Sequence, residues 1–510
     1  MDHDRIEIPE TVVYDPKAAE PPRWRPPARQ FVALIVIVAA TAMALGIVLS
    51  QRAMIGANDI SRWCTVWSLL ERGTYVIDEC PWQLRTQDKV FMTEPFPAEA
   101  EEPQKHFYSS KPPLLPTMIA GLIYPFRVAT GVPLDHEVEQ KRAQRLEVES
   151  LDFEPRGDQK VVEVTDSYKI VDVTSDEPVR WPAYVFYFNP ILVLFNVVPL
   201  AVFLVLYARV LDRYAANDWA WLFSIVAAAF GTNLFLFLST LNNHTIAAFS
   251  AFFALYALLR IWDDHRRHGG YFLAAGVFGA FAACNELPAA AFGILLFLLL
   301  LFRAPKQTLL YFVPAAAVPC IAFLVTMYLA TGGFTPVYAD MNPEDPESSY
   351  MYPGSYWLTP LGTDALDEPK WIYFLHATIG HHGILSLTPI FLFSFWALGR
   401  SLVGLDRRLR AFSGLTLVLS IAVTAFYVIK TNNYGGSTQG MRWLFWLFPF
   451  WLILLPLGVG AGQHRSWVRW LCLAALGFAV LNTGYGLLQP WSHPYIQDAM
   501  EHLGLYDLKR

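Results

Sequence analysis

NDISRW at residues 58–63, RGTYVIDE at 72–79, TQDKVF at 86–91 and HFYSSKPPLLP at 106–116 mark one polar, aromatic, proline-broken stretch running from Asn58 to Pro113. It follows the first apolar run, Phe31 to Ser50, which is long enough to cross a bilayer. The stretch brings Asp59, Asp78, Asp88 and Lys111 close to a predicted membrane surface. Charged groups beside hydrocarbon are costly, so their accumulation makes a functional site the first expectation.

The composition agrees with a membrane setting. Of 510 residues, 54% are apolar, 15% aromatic and only 16% charged, and the mean hydropathy is positive. The apolar residues fall in repeated runs of about 20 separated by short charged loops, the pattern of a polytopic membrane protein. A net charge of −6 without a Lys/Arg-rich tract argues against nucleic acid as a partner. The five cysteines lack metal-ligand spacing. Cys64 and Cys80 are either a disulfide facing an oxidising compartment or two unpaired thiols. The run from Phe31 to Ser50 has no small-residue cleavage site and is expected to remain as an anchor.

The tail, residues 1–30, is Pro-rich and expected to be disordered, and Arg23, Arg25 and Arg29 before the first span put it in the cytoplasm. Leu114 to Phe126 is only 13 residues and holds Pro116 and Pro125, which suits an interfacial or re-entrant helix better than a crossing. Residues 131–182 are polar, and VVEVTDSYKIVDV at 161–173 reads as a small β-hairpin. Further spans are expected near 184–208, 219–241, 244–262, 271–286, 288–302, 309–330, 383–398, 412–429, 443–460 and 470–488. With the first, these make about eleven. If 114–126 does not cross, RVLDRY at 209–214, DDHRRH at 263–268, RAPKQ at 303–307, GLDRRLR at 404–410 and QHRSWVR at 463–469 all fall inside. That is where basic residues belong. The outer side then carries loop 51–183, the turns at 242–244 and 285–286, loop 331–382, loop 430–442 and the tail 489–510. The expectation is an all-α transmembrane domain over 31–488 with a large first extracytoplasmic loop holding juxtamembrane helices and the hairpin.

Transfer of a sugar from a lipid phosphate needs a carboxylate to take the acceptor's proton and cations to hold the leaving phosphate. Asp59, about nine residues past the first span, is the preferred base. It is equally readable as the cap of a helix beginning at Ile60. Asp78 and Asp88 sit in turn-like surroundings and are either substitutes or solvated loop residues. Lys111, stiffened by Pro112 and Pro113, suits a phosphate or simply a lipid headgroup. Arg442, at the end of KTNNYGGSTQGMR, is a bidentate phosphate ligand or an interface anchor beside Trp443. Asn242, Asn243 and His244 either satisfy helix ends or act in the site. Glu286 is a carboxylate that must be paired or wet. Tyr434 completes the candidates. His381 and His382, being adjacent, point different ways on most backbones, and a shared metal is not expected.

Together these residues resemble a known pattern. Asp59 just after the first span, Gly73-Thr74-x-x-Ile77-Asp78, Thr86-x-Asp88-Lys89 and Tyr108-Ser109-x-Lys111-Pro112-Pro113 are similar to the first outer loop of the C-type (GT-C) glycosyltransferase superfamily. The likeness is to bacterial proteins of the family 39 kind, a group that includes protein O-mannosyltransferases and the aminoarabinose transferases of lipid A. NNHT at 242–245, GILSLTP at 383–389 and YGGSTQGMRW at 434–443 resemble segments of its uncharacterised bacterial branch. The resemblance implies a polyprenyl-phosphate-linked sugar donor and inverting transfer at the outer face of the bacterial inner membrane. By position it makes Asp59 the catalytic carboxylate, with Lys111 and Arg442 around the donor phosphate. The mannosyltransferases carry an adjacent acidic pair where this chain has Asn58-Asp59, which keeps Asp78 and Asp88 open as alternatives. Metal use varies within the superfamily, and no ligand cluster or other cofactor is legible in this chain. The acceptor, whether lipid, glycan or protein, is not named by the sequence. The rival expectation is a transporter or flippase of lipid-linked sugars, which would place polar residues near the bilayer midplane.

Overall fold

The computed structural model describes residues 27–51, 53–97, 104–140, 143–148, 160–164, 169–174, 179–182, 184–265, 267–341, 345, 347–405 and 409–506. Residues 1–26 of the expected disordered tail, and residues 165–168 of the expected hairpin turn, lie outside them.

Eight helices among the described residues are long and apolar enough to cross a membrane: Ala28–Ser50, Tyr184–Tyr214, Asp218–Ser239, Asn243–Trp262, Pro305–Thr331, Arg410–Lys430, Arg442–Gly460 and Ser466–Tyr485. The chain is thus an integral, multi-pass, all-α membrane protein. The expected count of eleven is corrected to eight by that measure, and three of the expected segments fall short of it. Gly269–Asn285 is a helix of 17 residues, and Leu287–Arg303 is equally short. At 1.5 Å per residue each reaches only about 26 Å, against a hydrocarbon core of about 30 Å. The third, expected at 383–398, is broken by Thr388-Pro389 into Ile384–Leu387 and the 12-residue Phe391–Leu402, because proline cannot supply the N–H that would continue the helix.

The first helix, α1 (Pro27–Ser50), explains its own orientation. Ala33, Val36, Ala40, Ala44 and Val48 recur at helical spacing and are buried, while Phe31, Leu34, Ile35, Val38 and Leu49 on other faces are exposed. Small residues inward allow close backbone approach, and large apolar ones outward suit hydrocarbon. At the centre lies Arg442–Gly460, whose residues Phe448 to Val459 are all buried.

Two further elements shape the polar end. α2 (Ala57–Glu71) is buried from Asn58 through Ser68. α3 (Leu114–Thr130) runs 17 residues, four beyond the expected end at Phe126. Pro116 sits in its first turn, where the N–H has no partner to lose. α3 packs on α2, and Arg127 grips the Glu71 carboxylate with two bonds of 2.8 Å. Between the two helices, β1 (Lys89–Thr93) and β2 (Lys105–Ser109) pair antiparallel with Lys89 opposite Ser109. Val90 and Tyr108 of this hairpin form a small second core with Tyr350, and the Phe91 N–H donates to the Ser349 carbonyl at 2.8 Å, joining the first loop to loop 331–382. The expected hairpin is present as Lys160–Val164 against Lys169–Thr174, with Ala143–Val148 added on the other side of the latter strand.

Candidate functional site

α2 begins at Ala57, not Ile60, and Gly56 is its N-cap. Asp59 is therefore the third residue of the helix, and its carboxylate caps the helix start by accepting the Gly56 N–H at 3.0 Å. The same carboxylate accepts the Leu241 N–H at 2.6 Å and the Trp491 indole N–H at 3.3 Å. Gly56 is required there, because a Cβ would lie 2.4 Å from the Trp491 ring. Asp59 is fully buried, and that burial raises its pKa from 3.8 to about 6 against the pull of the Leu241 and Gly56 N–H groups and Arg62.

One turn on, the Arg62 guanidinium donates to the Asn58 carbonyl and side chain at 3.2 and 3.1 Å, to the Leu241 carbonyl at 3.3 Å and to the Asn243 side chain at 2.5 Å. Burial lowers its pKa to about 10. The Asn243 amide donates to Glu286 at 2.7 Å and to the Asn285 carbonyl at 2.9 Å. His244 Nδ1 meets the same Glu286 oxygen, and the Tyr427 hydroxyl donates to the other at 3.4 Å. The triplet at 242–244 therefore divides its labour. Asn242 caps the following helix by accepting the Thr245 N–H at 2.9 Å, while Asn243 and His244 reach the carboxylate.

Lys111 Nζ lies 3.0 Å from Asp88 Oδ1, and both side chains are largely shielded. Burial lowers the lysine pKa while Asp88 opposes that shift. The hairpin fixes the pair. The Ser110 N–H and the Ser61 hydroxyl both donate to the Asp88 carbonyl, at 3.1 and 2.5 Å. Arg442 packs its guanidinium over Trp491 at 4.8 Å. Gly435 and Gly436 take left-handed φ values of 97° and 81°, and a Cβ on Gly435 would lie 3.0 Å from Arg442 Nε. Among the described residues, Arg442 Nε and Nη1 are buried without a hydrogen-bond partner. Arg62 and Arg442 both act electrostatically on Lys111, and the carboxylates felt by Arg442 are Asp88, Glu286, Asp364 and Asp59. Three cations thus crowd one another, and one of them offers an unused donor edge that an anion would satisfy.

Asp59, Asp88, Lys111, Asn243, His244, Glu286 and Arg442 accordingly belong to one cluster at one end of the bundle. Two candidates do not. Asp78 accepts from the Phe107 N–H at 2.6 Å and bonds His106 at 2.7 Å, bracing β2 from its exposed side. Tyr434 is buried and left-handed (φ 54°), with its hydroxyl on Glu368 and its ring stacked on His382 at 4.8 Å. His381 and His382 turn towards each other, with Nδ1 atoms 2.5 Å apart. Among the described residues one group can hold a metal ion: Glu368, His376 and His381, with donor atoms within 4.8 Å of one another.

The cluster also holds residues that the sequence did not single out. Arg62 shares a helix face with Asn58 and Asp59 by spacing, a legible signal. Trp491, 432 positions from Asp59, left none. It lies in the segment after the last long helix, expected as a short tail but here seated against the site. The cleft beside Lys111, lined by Thr65, Tyr75, Tyr108, Pro113, Met327 and Val337 among others, measures only 20 Å³, room for little more than a water. Cys64 and Cys80 are both free and buried, with the two thiols in hydrogen-bond contact. No family model matches the chain, and no curated protein matches it.

Proposed function

We propose that this chain is a membrane glycosyltransferase of the C-type superfamily, family 39-like. It moves a sugar from a polyprenyl-phosphate donor to an acceptor at the outer face of the bacterial inner membrane. The observation that carries the reading is the convergence of Lys111 and Arg442, 331 positions apart, with two aspartates in one buried cluster where Arg442 keeps an unpaired donor edge. Arg23, Arg25 and Arg29 before the first span support a cytoplasmic N-terminus, and with it an outer-face position for the loop that holds Asp59, Asp88 and Lys111.

In the proposed reaction the acceptor heteroatom attacks the sugar C1 as the C1–O bond to phosphate breaks. The acceptor proton passes to a carboxylate and the departing electron pair to the phosphate, where Lys111 and Arg442 offset the charge. Asp59 is the base. Oδ1 takes one N–H donor, leaving a lone pair for the proton, whereas Oδ2 is occupied by Gly56 and Trp491. Asp88 is already committed to Lys111 at 3.0 Å and serves to position it. The polar groups gather at helix ends, which favours an enzyme over a transporter with midplane sites. Asp59→Asn is expected to lower transfer by about 10²–10⁴-fold in lipid-glycan profiling of a complemented deletion strain. Unchanged products from that variant, with loss in Asp88→Asn instead, would move the base to Asp88. Unchanged products from both would remove the enzymatic reading.

A further inference from the structure

We propose that Glu368, His376 and His381 bind a zinc-class divalent cation that pins loop 331–382 to the Tyr434 loop and the C-terminal segment. This site is separate from the Lys111–Arg442 cluster, and the proposal does not depend on glycosyl transfer.

The chain brings the three donors together by local means. Pro369 follows Glu368 and opens the short helix Lys370–Thr378, His376 lies in its last turn, and the Gly380 turn returns His381 onto it. The two imidazoles stack with centroids 4.1 Å apart and planes 23° from parallel. Each ring keeps a buried nitrogen, His376 Nδ1 and His381 Nε2, that no described residue satisfies. His381 itself is fully buried. An unpartnered ring nitrogen in such a place costs free energy unless something absent from the polypeptide meets it.

The outer partners point the same way. The Tyr506 hydroxyl donates to Glu368 Oε1 at 2.9 Å and the Tyr434 hydroxyl to Oε2, so two phenols from distant parts of the chain aim one carboxylate. Metal-ligating carboxylates are characteristically oriented by such hydrogen bonds.

Two imidazoles and one carboxylate match the donor preference of zinc, whereas calcium and magnesium require mostly oxygen. Around tetrahedral zinc, with bonds near 2.0–2.1 Å, donors sit about 3.3 Å apart. The present spread of 4.8 Å must close by roughly 1.5 Å. Glu368 and His376, only partly buried, have the freedom to move. The consequence is mechanical. Tyr434 precedes Gly435, where an added Cβ would lie 3.0 Å from Arg442 Nε, so an ion on Glu368 would stiffen the backbone beside that arginine.

The test uses the full-length protein without a polyhistidine tag, purified in detergent, stripped with chelator, reloaded with Zn²⁺ and desalted. Metal analysis is expected to find about one zinc per chain in the native protein and in His502→Gln, an exposed control, and under about 0.2 in the double variant His376→Gln/His381→Gln. Zn²⁺ should raise the thermal unfolding midpoint of the native protein by a few degrees and leave that of the double variant unmoved. Native protein without zinc above background, or a double variant that retains as much, overturns the proposal. Should the double variant fail to fold, Co²⁺ added to the stripped native protein decides. Visible bands of tetrahedral cobalt support the site, and their absence removes it.

Discussion

Asp59 shows how one residue can be both scaffold and reagent. Its carboxylate ties the start of α2 to the Leu241 backbone and the Trp491 indole, an ample structural reason for an aspartate. Yet burial raises its pKa to about 6, so folding favours the protonated form. The stabilising protonation is complete below the ordinary value of 3.8 and is lost as pH rises through about 6. Near neutral pH the site holds an ionised, desolvated carboxylate, the state a general base requires. Transfer activity is accordingly expected to fall on the acid side with a single-proton limb near pH 6. A pH profile of kcat/KM checks this, and a profile flat down to pH 4.5 would exclude Asp59 as the titrating base. The cap was half legible, since Asn-Asp before an apolar run marks a helix start. Its offset was not, because the glycine at 56 is selected by an indole 435 positions away.

At the scale of elements, the N-terminus of α2 and the segment around Trp491 fit as one joint. Trp491 occupies the space above Gly56, donates to Asp59 and carries the Arg442 guanidinium on its face. Gly56→Ala puts a methyl 2.4 Å from the indole and must displace it. Overpacking of this kind costs about 1–3 kcal/mol. A thermal unfolding midpoint several degrees below the native value is expected, and an unchanged midpoint would mean that the indole is not seated there. The β1–β2 hairpin plays the equivalent part for Lys111, whose Asp88 partner is fixed through its own carbonyl by Ser61 and Ser110. Neither strand was legible, since Lys89–Thr93 and Lys105–Ser109 are short and lack clean alternation, and their pairing is completed by Ser349 far along the chain.

For the molecule as a whole, the arrangement sets polar chemistry at one end and lipid-facing apolar surface along the flanks. The outward Phe31, Leu34, Val318, Ile321, Trp470 and Leu481 on three peripheral helices suit hydrocarbon. Sidedness is open to direct test with single cysteines in a background lacking the five native ones. Asp135→Cys, on the proposed outer side, should react with a membrane-impermeant thiol reagent in intact spheroplasts. Ala216→Cys, exposed beside the basic segment at 209–214, should react only after permeabilisation. The reverse pattern would place the Lys111–Arg442 cluster in the cytoplasm and end the polyprenyl-donor reading at the outer face.

The amino-acid sequence by itself determined that this is a helical membrane protein, because burial in hydrocarbon is a property of composition and run length. It also marked the carboxylates and cations worth watching, because charge beside an apolar run is conspicuous in one dimension. Span number depended on more than hydropathy: with a break at Thr388-Pro389 and two helices of only 17 residues, eight helices among the described residues are long and apolar enough to cross. Only the tertiary structure decided which polar residues meet. Lys111 found Asp88 rather than Asp78, Arg62 joined Asn243, and Trp491 closed over Asp59. Those pairings satisfy buried donors and acceptors across hundreds of residues, and such satisfaction is set by three-dimensional packing, which leaves no periodicity to read.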